Sequence, residues 1–480
     1  MDDGLERFAE LPPWLVAVTD GDRVADALVS AAPELGDGRR RLLGCRMDRV
    51  RLKGRSWTAI YDLTLDGPAG GPPEAVRVRG TLLPPGDDIP DLGRAGTEPG
   101  GAPAGPPLGA DGWRAYLPEL RLVLEAEQGD PGLPALPRLT DPDQARALLE
   151  ESIRSTPAYA DLRIRSCTPR VMRYKPGSRC TILYELDYEE GAADPSWPDV
   201  VVAKTYHGDK GRVAWDGMRA LWESPMASSG VAIAEPLAFV PELNVLVQGP
   251  IREEQTLREG LQEALRTGDP EAARDLRGLV AGTAAGLAAL HTCGVRLGEL
   301  LTWEDELAEV REVIDRLAAS VPELGGAAEP MLAGLEAVAA EHPADPAGPA
   351  HRSFRPPQVL LSAGRLGFID FDGFCQAEPA LDVALFRATV KSVGMTAGGG
   401  KAASASAEDR LARGGELADL FLDRYEEHAP ISRTRVALWE SLDLLTMVLH
   451  SWTKAKQARL GDAMFMLRDH LATSPALIGV

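Results

Sequence analysis

Positive charge is what this chain lacks most. Of 480 residues only eight are lysine, against 43 arginines. Acids outnumber bases 72 to 51, giving a net charge of -21. Nucleic acid and anionic membrane both select basic surfaces, so neither is expected as a partner. Acidic surfaces mainly keep proteins dissolved, though a cationic substrate would also suit one. Cysteine is scarce as well. Cys45, Cys167, Cys180, Cys293 and Cys375 form no C-x-x-C pair, which argues against a disulfide framework. There is no long apolar run and no signal-like start, so the expected location is cytoplasmic, with reduced thiols. What the chain has in abundance is Ala, Gly, Pro and Arg, together with enough length for two or three domains. Against such a background a lysine inside an apolar strand stands out.

An internal repeat organises the first half. Thr19-Asp20-Gly21-Asp22 opens a helical run, and so does Thr140-Asp141-Pro142-Asp143. Both place capping side chains ahead of the helix, and the second adds a proline in the first turn. Cys45 to Leu63 parallels Cys167 to Leu186 with one residue inserted. Tyr116-Leu117-Pro118-Glu119-Leu120 parallels Phe239-Val240-Pro241-Glu242-Leu243, and an apolar strand follows each. These three blocks, in order and at nearly constant offset, predict one α+β unit present twice. In the first copy Arg79 falls near the place of Lys204, and Gly54 near Gly177. A Pro/Gly-rich stretch, Pro84 to Ala110, replaces the helix that follows Lys204.

In the second copy Lys175-Pro176-Gly177-Ser178-Arg179 joins two strands. Read alone it is an ordinary hairpin turn, although its glycine would let backbone N–H groups approach an anion. Lys175 and Arg179 are either anion contacts or solvated turn residues. Val200-Val201-Val202-Ala203-Lys204 is a β-branched strand ending on a lysine, whose stem would pack while its ammonium reached out. A helix from about Gly211 to Trp222 carries Asp216, with Glu223 just beyond it. Gln248-Gly249-Pro250 marks the change to a mainly helical region, which begins with Glu271 to His291. Further acidic helices are expected within 303–342, a flexible low-complexity loop at 396–408, and closing amphipathic helices at Arg410–Glu427 and Val436–Leu471.

The stretch from Ala350 to Phe386 is the centre of the chain. His351-Arg352-Ser353 leads through Gln358 to a short apolar hairpin, whose second strand runs into Asp370-Phe371-Asp372-Gly373. A carboxylate at the end of a buried strand is held rigidly, as a metal ion requires. Glu378-Pro379-Ala380-Leu381-Asp382 then opens a helix.

In this order the motifs resemble the aminoglycoside phosphotransferase and choline kinase branch of the protein-kinase-like superfamily. The resemblance implies an α+β, bilobal fold with an antiparallel-sheet small lobe and a helical large lobe, here preceded by a small-lobe-like copy. The corresponding domains are 1–138, 139–249 and 250–480. It implies ATP and Mg2+ as cofactors. Lys204, the Gly177-Ser178-Arg179 turn, Asp216 and Gln248 would lie around the nucleotide. Asp370 and Gln358 would hold the metal. His351, Ser353, Asp372 and Asp382 would form the catalytic loop and its supports. One departure matters: Ser353 stands where the family keeps a catalytic aspartate. A serine hydroxyl alone is no general base near neutral pH, and losing one costs roughly 10²–10⁴ in rate. Asp372 is the nearest replacement. Two functions remain open. One is an ATP-dependent phosphotransferase acting on a hydroxyl of a small molecule, sugar or peptide. The other is a pseudokinase, a nucleotide-binding or structural partner in a biosynthetic complex, with the N-terminal copy serving as a cap or as the surface for a protein partner.

Overall fold

The computed structural model describes residues 4–67, 71–86, 106, 108–127, 129–130, 132–189, 194–252, 254–362, 364–397 and 405–477. Most of the Pro/Gly-rich stretch and most of the 396–408 loop lie outside the described residues. The chain divides into two compact units. One gathers Met1–Gly129, Glu306–Ala337 and Leu444–Val480; the other gathers Asp130–Asp305 and Val338–Asp443.

In the first unit, helix Gly21–Ala31 starts where the Asp20 carboxylate accepts from the N–H groups of Asp22 and Arg23. This satisfies donors that a helix start leaves open. The sheet comprises β1 (Leu42–Lys53), β2 (Ser56–Leu65), β3 (Glu74–Leu82), β4 (Arg114–Leu117) and β5 (Leu122–Ala126). Its order is β1-β2-β3-β5-β4, antiparallel throughout. Period-two alternation buries Trp57, Ala59, Tyr61, Leu63 and Leu65 of β2 on one face. The Tyr61 hydroxyl donates to the Val18 carbonyl at 2.8 Å. Phe8, Trp57 and Trp452 are fully or almost fully buried together, and the indole N–H of Trp452 donates to the Phe8 carbonyl at 2.9 Å.

In the second unit, helix Pro142–Ile153 is capped by Asp141 through the Gln144 N–H. Its sheet comprises β6 (Ile164–Lys175), β7 (Arg179–Tyr188) and β8 (Val200–Tyr206), then β10 (Pro236–Val240) and β11 (Val245–Gln248); the short β9 (Val231–Ile233) lies elsewhere. The order is β6-β7-β8-β11-β10, the same as in the first sheet. The Tyr184 hydroxyl donates to the Leu139 carbonyl at 2.7 Å, as Tyr61 does to Val18. Each sheet also has a Pro-Glu-Leu turn ending in left-handed backbone, at Arg121 (φ 47°) and Asn244 (φ 49°). Leu246 faces Lys204, and in the first sheet Val123 faces Thr81, two residues from Arg79.

β12 (Gln255–Thr256), β14 (Val359–Ser362) and β15 (Arg365–Phe368) form a second small sheet with β9, whose pairing to β15 is parallel. β13 (Gly348–Ala350) pairs with β16 (Cys375–Ala377). The rest of the unit is mainly helical, notably Pro270–Thr292, Ala380–Thr396 and Ala407–Glu426. Glu378, Arg435 and Trp439 are almost fully buried there. Glu378 accepts from the Arg435 guanidinium and, at 2.6 Å, from the Trp439 indole. The α+β class expected from sequence is the one observed, with antiparallel sheets first and helices after. No disulfide joins the five cysteines. Among the described residues no helix is long and apolar enough to cross a membrane.

Candidate functional site

Strand alternation builds the site. In β7 and β8 one face carries Cys180, Ile182, Tyr184, Val201 and Ala203 into the apolar core. The other face carries Lys204 and, two residues on, Tyr206; Arg179 lies directly across from Tyr206. Side chains two apart on a strand, and side chains paired across strands, share a face. Three polar groups are therefore gathered by the pleat alone.

They meet the end of β15. Asp370 has φ 78°, a left-handed conformation costly for a residue with a Cβ, of order 1–3 kcal/mol. Its carboxylate accepts from the Lys204 ammonium at 3.2 Å and from the two terminal Arg179 nitrogens, Nη1 and Nη2, at 3.0 and 3.2 Å. Arg179 also bonds Asp372, and Asp372 accepts from the Tyr206 hydroxyl at 2.8 Å. Two acids and two cations are thus paired in a mostly buried cluster. Burial opposes ionisation of Asp370, but the Lys204 ammonium and the Arg179 guanidinium outweigh it, holding the carboxyl well below the usual carboxylate range. Burial pushes the Tyr206 phenol well above its ordinary value, with the Asp372 and Asp370 charges adding to it, so Tyr206 acts as a neutral donor.

The loop before β14 is fixed from behind. The Asp382 carboxylate accepts from the backbone N–H of His351 at 2.6 Å and meets His291 Nε2 at 3.2 Å; His291 Nδ1 meets the Tyr425 hydroxyl at 2.7 Å. His351 is fully buried between Phe354 and Phe371, and its Nε2 contacts the Ile369 carbonyl at 2.9 Å. Its Nδ1 meets the Ser353 hydroxyl at 3.3 Å. The Ile369 N–H donates to the Gln358 carbonyl, placing Gln358 beside the strand end that carries Asp370. The Gln358 Oε1 atom is buried without a hydrogen-bond partner, as is Gln248 Oε1 at the end of β11.

The structure therefore brings Lys204, Arg179, Asp370 and Asp372 together. Contacts through Ile369 join His351 to the same strand end, and Ser353 and Asp382 join through His351. Asp216 and Glu223 do not join this group. Asp216 makes no hydrogen bond to Lys204, and Glu223 is exposed and pairs with Arg219. Gly177 has φ 66°, and its N–H donates to the Asp130 carboxylate at 2.8 and 3.0 Å. Ser178 shapes the turn through its N–H to the Lys175 carbonyl. Sequence reasoning missed Tyr206, Asp130 and Arg355, whose Nε donates to the Ser353 carbonyl at 3.2 Å. Tyr206 was legible from its two-residue spacing to Lys204. Asp130, 47 positions before Gly177, carried no local signal.

No group of three or more His, Cys, Asp or Glu among the described residues is placed to hold a metal. A magnesium ion needs fewer protein ligands when phosphate oxygens and water complete its shell. Asp370 and the unpartnered Gln358 oxygen are oxygen donors of the right kind for that.

Residues 226–430 match the family model described as phosphotransferase enzyme family. The chain is phosphotransferase-like over that span. The span covers a little under half of the chain. It includes Ser353, Gln358, Asp370 and Asp382 and leaves out Arg179 and Lys204. Kinases are found among similar solved structures. A glucosamine kinase shares 15% identity, covering 96% of this chain and 99% of its own, at a TM-score of 0.45. A choline kinase from Cryptosporidium parvum shares 11%, covering 69% and 98%, at 0.47. An ADP-bound aminoglycoside phosphotransferase shares 14%, covering 66% and 96%, at 0.42. No curated protein matches the chain.

Proposed function

We propose that this chain binds Mg2+-ATP at the Lys204–Asp370 cluster and transfers the γ-phosphoryl group to a hydroxyl, on a small molecule, a sugar or a peptide. The observation that carries this reading is the 3.2 Å contact between a strand lysine and a strand-end aspartate far apart in sequence. Lys204 and Arg179 supply the positive charge that phosphate oxygens need, and both are now held by acids. Asp370 and Gln358 would hold the magnesium ion. Bound there, it would neutralise charge developing on the phosphates. Asp372, kept in place by Arg179 and Tyr206, would orient the acceptor hydroxyl. Asp382 acts from behind, through the His351 backbone. On this reading residues 139–249 are the small lobe and 250–480 the large lobe. Residues 1–138 would be a second copy of the small-lobe unit, acting as a cap or a partner surface. The shared strand order and the paired Tyr61 and Tyr184 bonds support that duplication. Thr81 and Ser56, in register with Lys204 and Arg179, leave the copy without the cations.

Thermal unfolding with and without Mg2+-ATP tests the reading. At 100 times Kd the ligand stabilises by about 2.7 kcal/mol, an upward shift of several degrees. Asp370→Asn should abolish the shift. A wild-type chain that does not respond would refute nucleotide binding.

A second reading is favoured by the closed ion-pair cluster and by Ser353. Here the chain is a pseudokinase, a nucleotide-binding or structural subunit with little transfer activity. Ser353→Asp separates the two. A large gain in turnover would mean the native loop is impaired.

A further inference from the structure

We propose that Ser353 is a self-phosphorylation site, with His351 as the base that activates it. The inference rests on the nucleotide-binding reading above.

The Ile369 carbonyl can only accept a hydrogen bond, so the His351 nitrogen 2.9 Å from it, Nε2, carries the ring proton. A neutral imidazole carries one such proton, so Nδ1 presents a lone pair. That lone pair faces the Ser353 hydroxyl at 3.3 Å. A hydroxyl donating to a histidine nitrogen, whose other nitrogen is fixed by a third group, is the arrangement that activates a serine nucleophile. The 3.3 Å separation is at the loose end, as such bonds often are before substrate binds.

The base is rigid. Phe354 and Phe371 flank the ring, with centroids 5.5 and 4.8 Å away, and Asp382 holds the His351 backbone. It is also in the right place. Ile369, which orients it, directly precedes Asp370, the proposed metal ligand. Ser353 itself is only half-buried, so its oxygen can be reached. Arg355, bonded to the Ser353 carbonyl at 3.2 Å, puts a guanidinium two residues from the modified oxygen.

The step balances. The Ser353 oxygen attacks the γ-phosphorus of a nucleoside triphosphate and forms a P–O bond. The bond from the γ-phosphorus to the β,γ-bridging oxygen breaks, and the nucleoside diphosphate leaves with that electron pair. The Ser353 proton passes to His351 Nδ1, leaving an imidazolium beside the new phosphoserine. The product is a phosphoserine of charge about -1.5 to -2 near neutral pH.

The test incubates the full chain with Mg2+ and γ-labelled ATP, and locates the label by peptide mass spectrometry. The expected result is one phosphoryl group on Ser353, absent in Ser353→Ala and retained in Ser353→Thr. His351→Gln should slow labelling by roughly 10²–10⁴-fold. Thermal response to Mg2+-ATP is measured on every variant. If Ser353→Ala still responds to nucleotide and the wild type takes no label, or takes it elsewhere, self-phosphorylation is refuted while nucleotide binding stands. If the wild type does not respond to nucleotide, both fall. If His351→Gln unfolds, Ser353→Ala and Ser353→Thr, which leave the histidine in place, still decide the site.

Discussion

Replacing Arg179 with glutamine probes the centre of the proposed site. Arg179 touches Asp370 at 3.0 and 3.2 Å and also bonds Asp372, and its side chain is 18% exposed. At an effective dielectric of 20, each unit-charge contact at 4 Å is worth about 4 kcal/mol gross, most of it offset by desolvation. Removing one member of a buried pair leaves the other charge uncompensated, at about 3–5 kcal/mol. Residual exposure puts this case near 3 kcal/mol. Acid dependence should change with it. Asp370 is held below its unfolded value of about 3.9, so its contribution is present above that pH and is lost as pH falls through the folded value. In Arg179→Gln only Lys204 opposes burial. The folded value rises, the contribution shrinks, and its acid-side loss is complete at a higher pH. Urea unfolding at pH 7.5 and at about pH 3 measures both effects. Arg179→Lys should recover only part of the loss, because a point ammonium does not fork two carboxylates as a guanidinium does. If Arg179→Gln stayed within about 0.5 kcal/mol of wild type at both pH values, a surface-type pairing would be indicated and the cluster as described would be wrong.

Tyr61→Phe and Tyr184→Phe each remove the donor from a buried carbonyl bond, so each should cost about 1–3 kcal/mol in denaturant unfolding. Gly217→Ala should destabilise by about 1–3 kcal/mol, since a Cβ there would lie 2.7 Å from the Phe374 ring. Glu378→Gln removes the charge facing buried Arg435 and weakens the Trp439 contact; a loss of about 3–5 kcal/mol is expected, readable as a fall in urea midpoint.

Local features were legible in the sequence because they depend on local period and turn chemistry. The β7 and β8 strands alternate polar and apolar faces, so Lys204 and Tyr206 had to share a side. Asp20 and Asp141 cap the helices that their positions announced. The carboxylate at residue 370 ends an apolar hairpin, as its flanking residues indicated. The helix predicted over Glu271–His291 is Pro270–Thr292, within a residue at each end.

Partner choice was not legible. Sequence placed Asp216 on the helix after Lys204 and Glu223 just beyond that helix; the acid that meets Lys204 is Asp370, 166 residues on. It left Arg179 open between turn residue and ligand, and only the third dimension puts it between two acids 191 and 193 residues away. The same holds for Asp130 at the glycine turn, and for residues 306–337 and 444–480 clustering with the first 129. The sequence by itself determined the strands, the caps and the candidate acids and cations, since each is set within a few residues by backbone geometry. Which charge meets which was decided by tertiary packing, because pairing across such separations depends on how the sheets and helices close, and no local pattern encodes it.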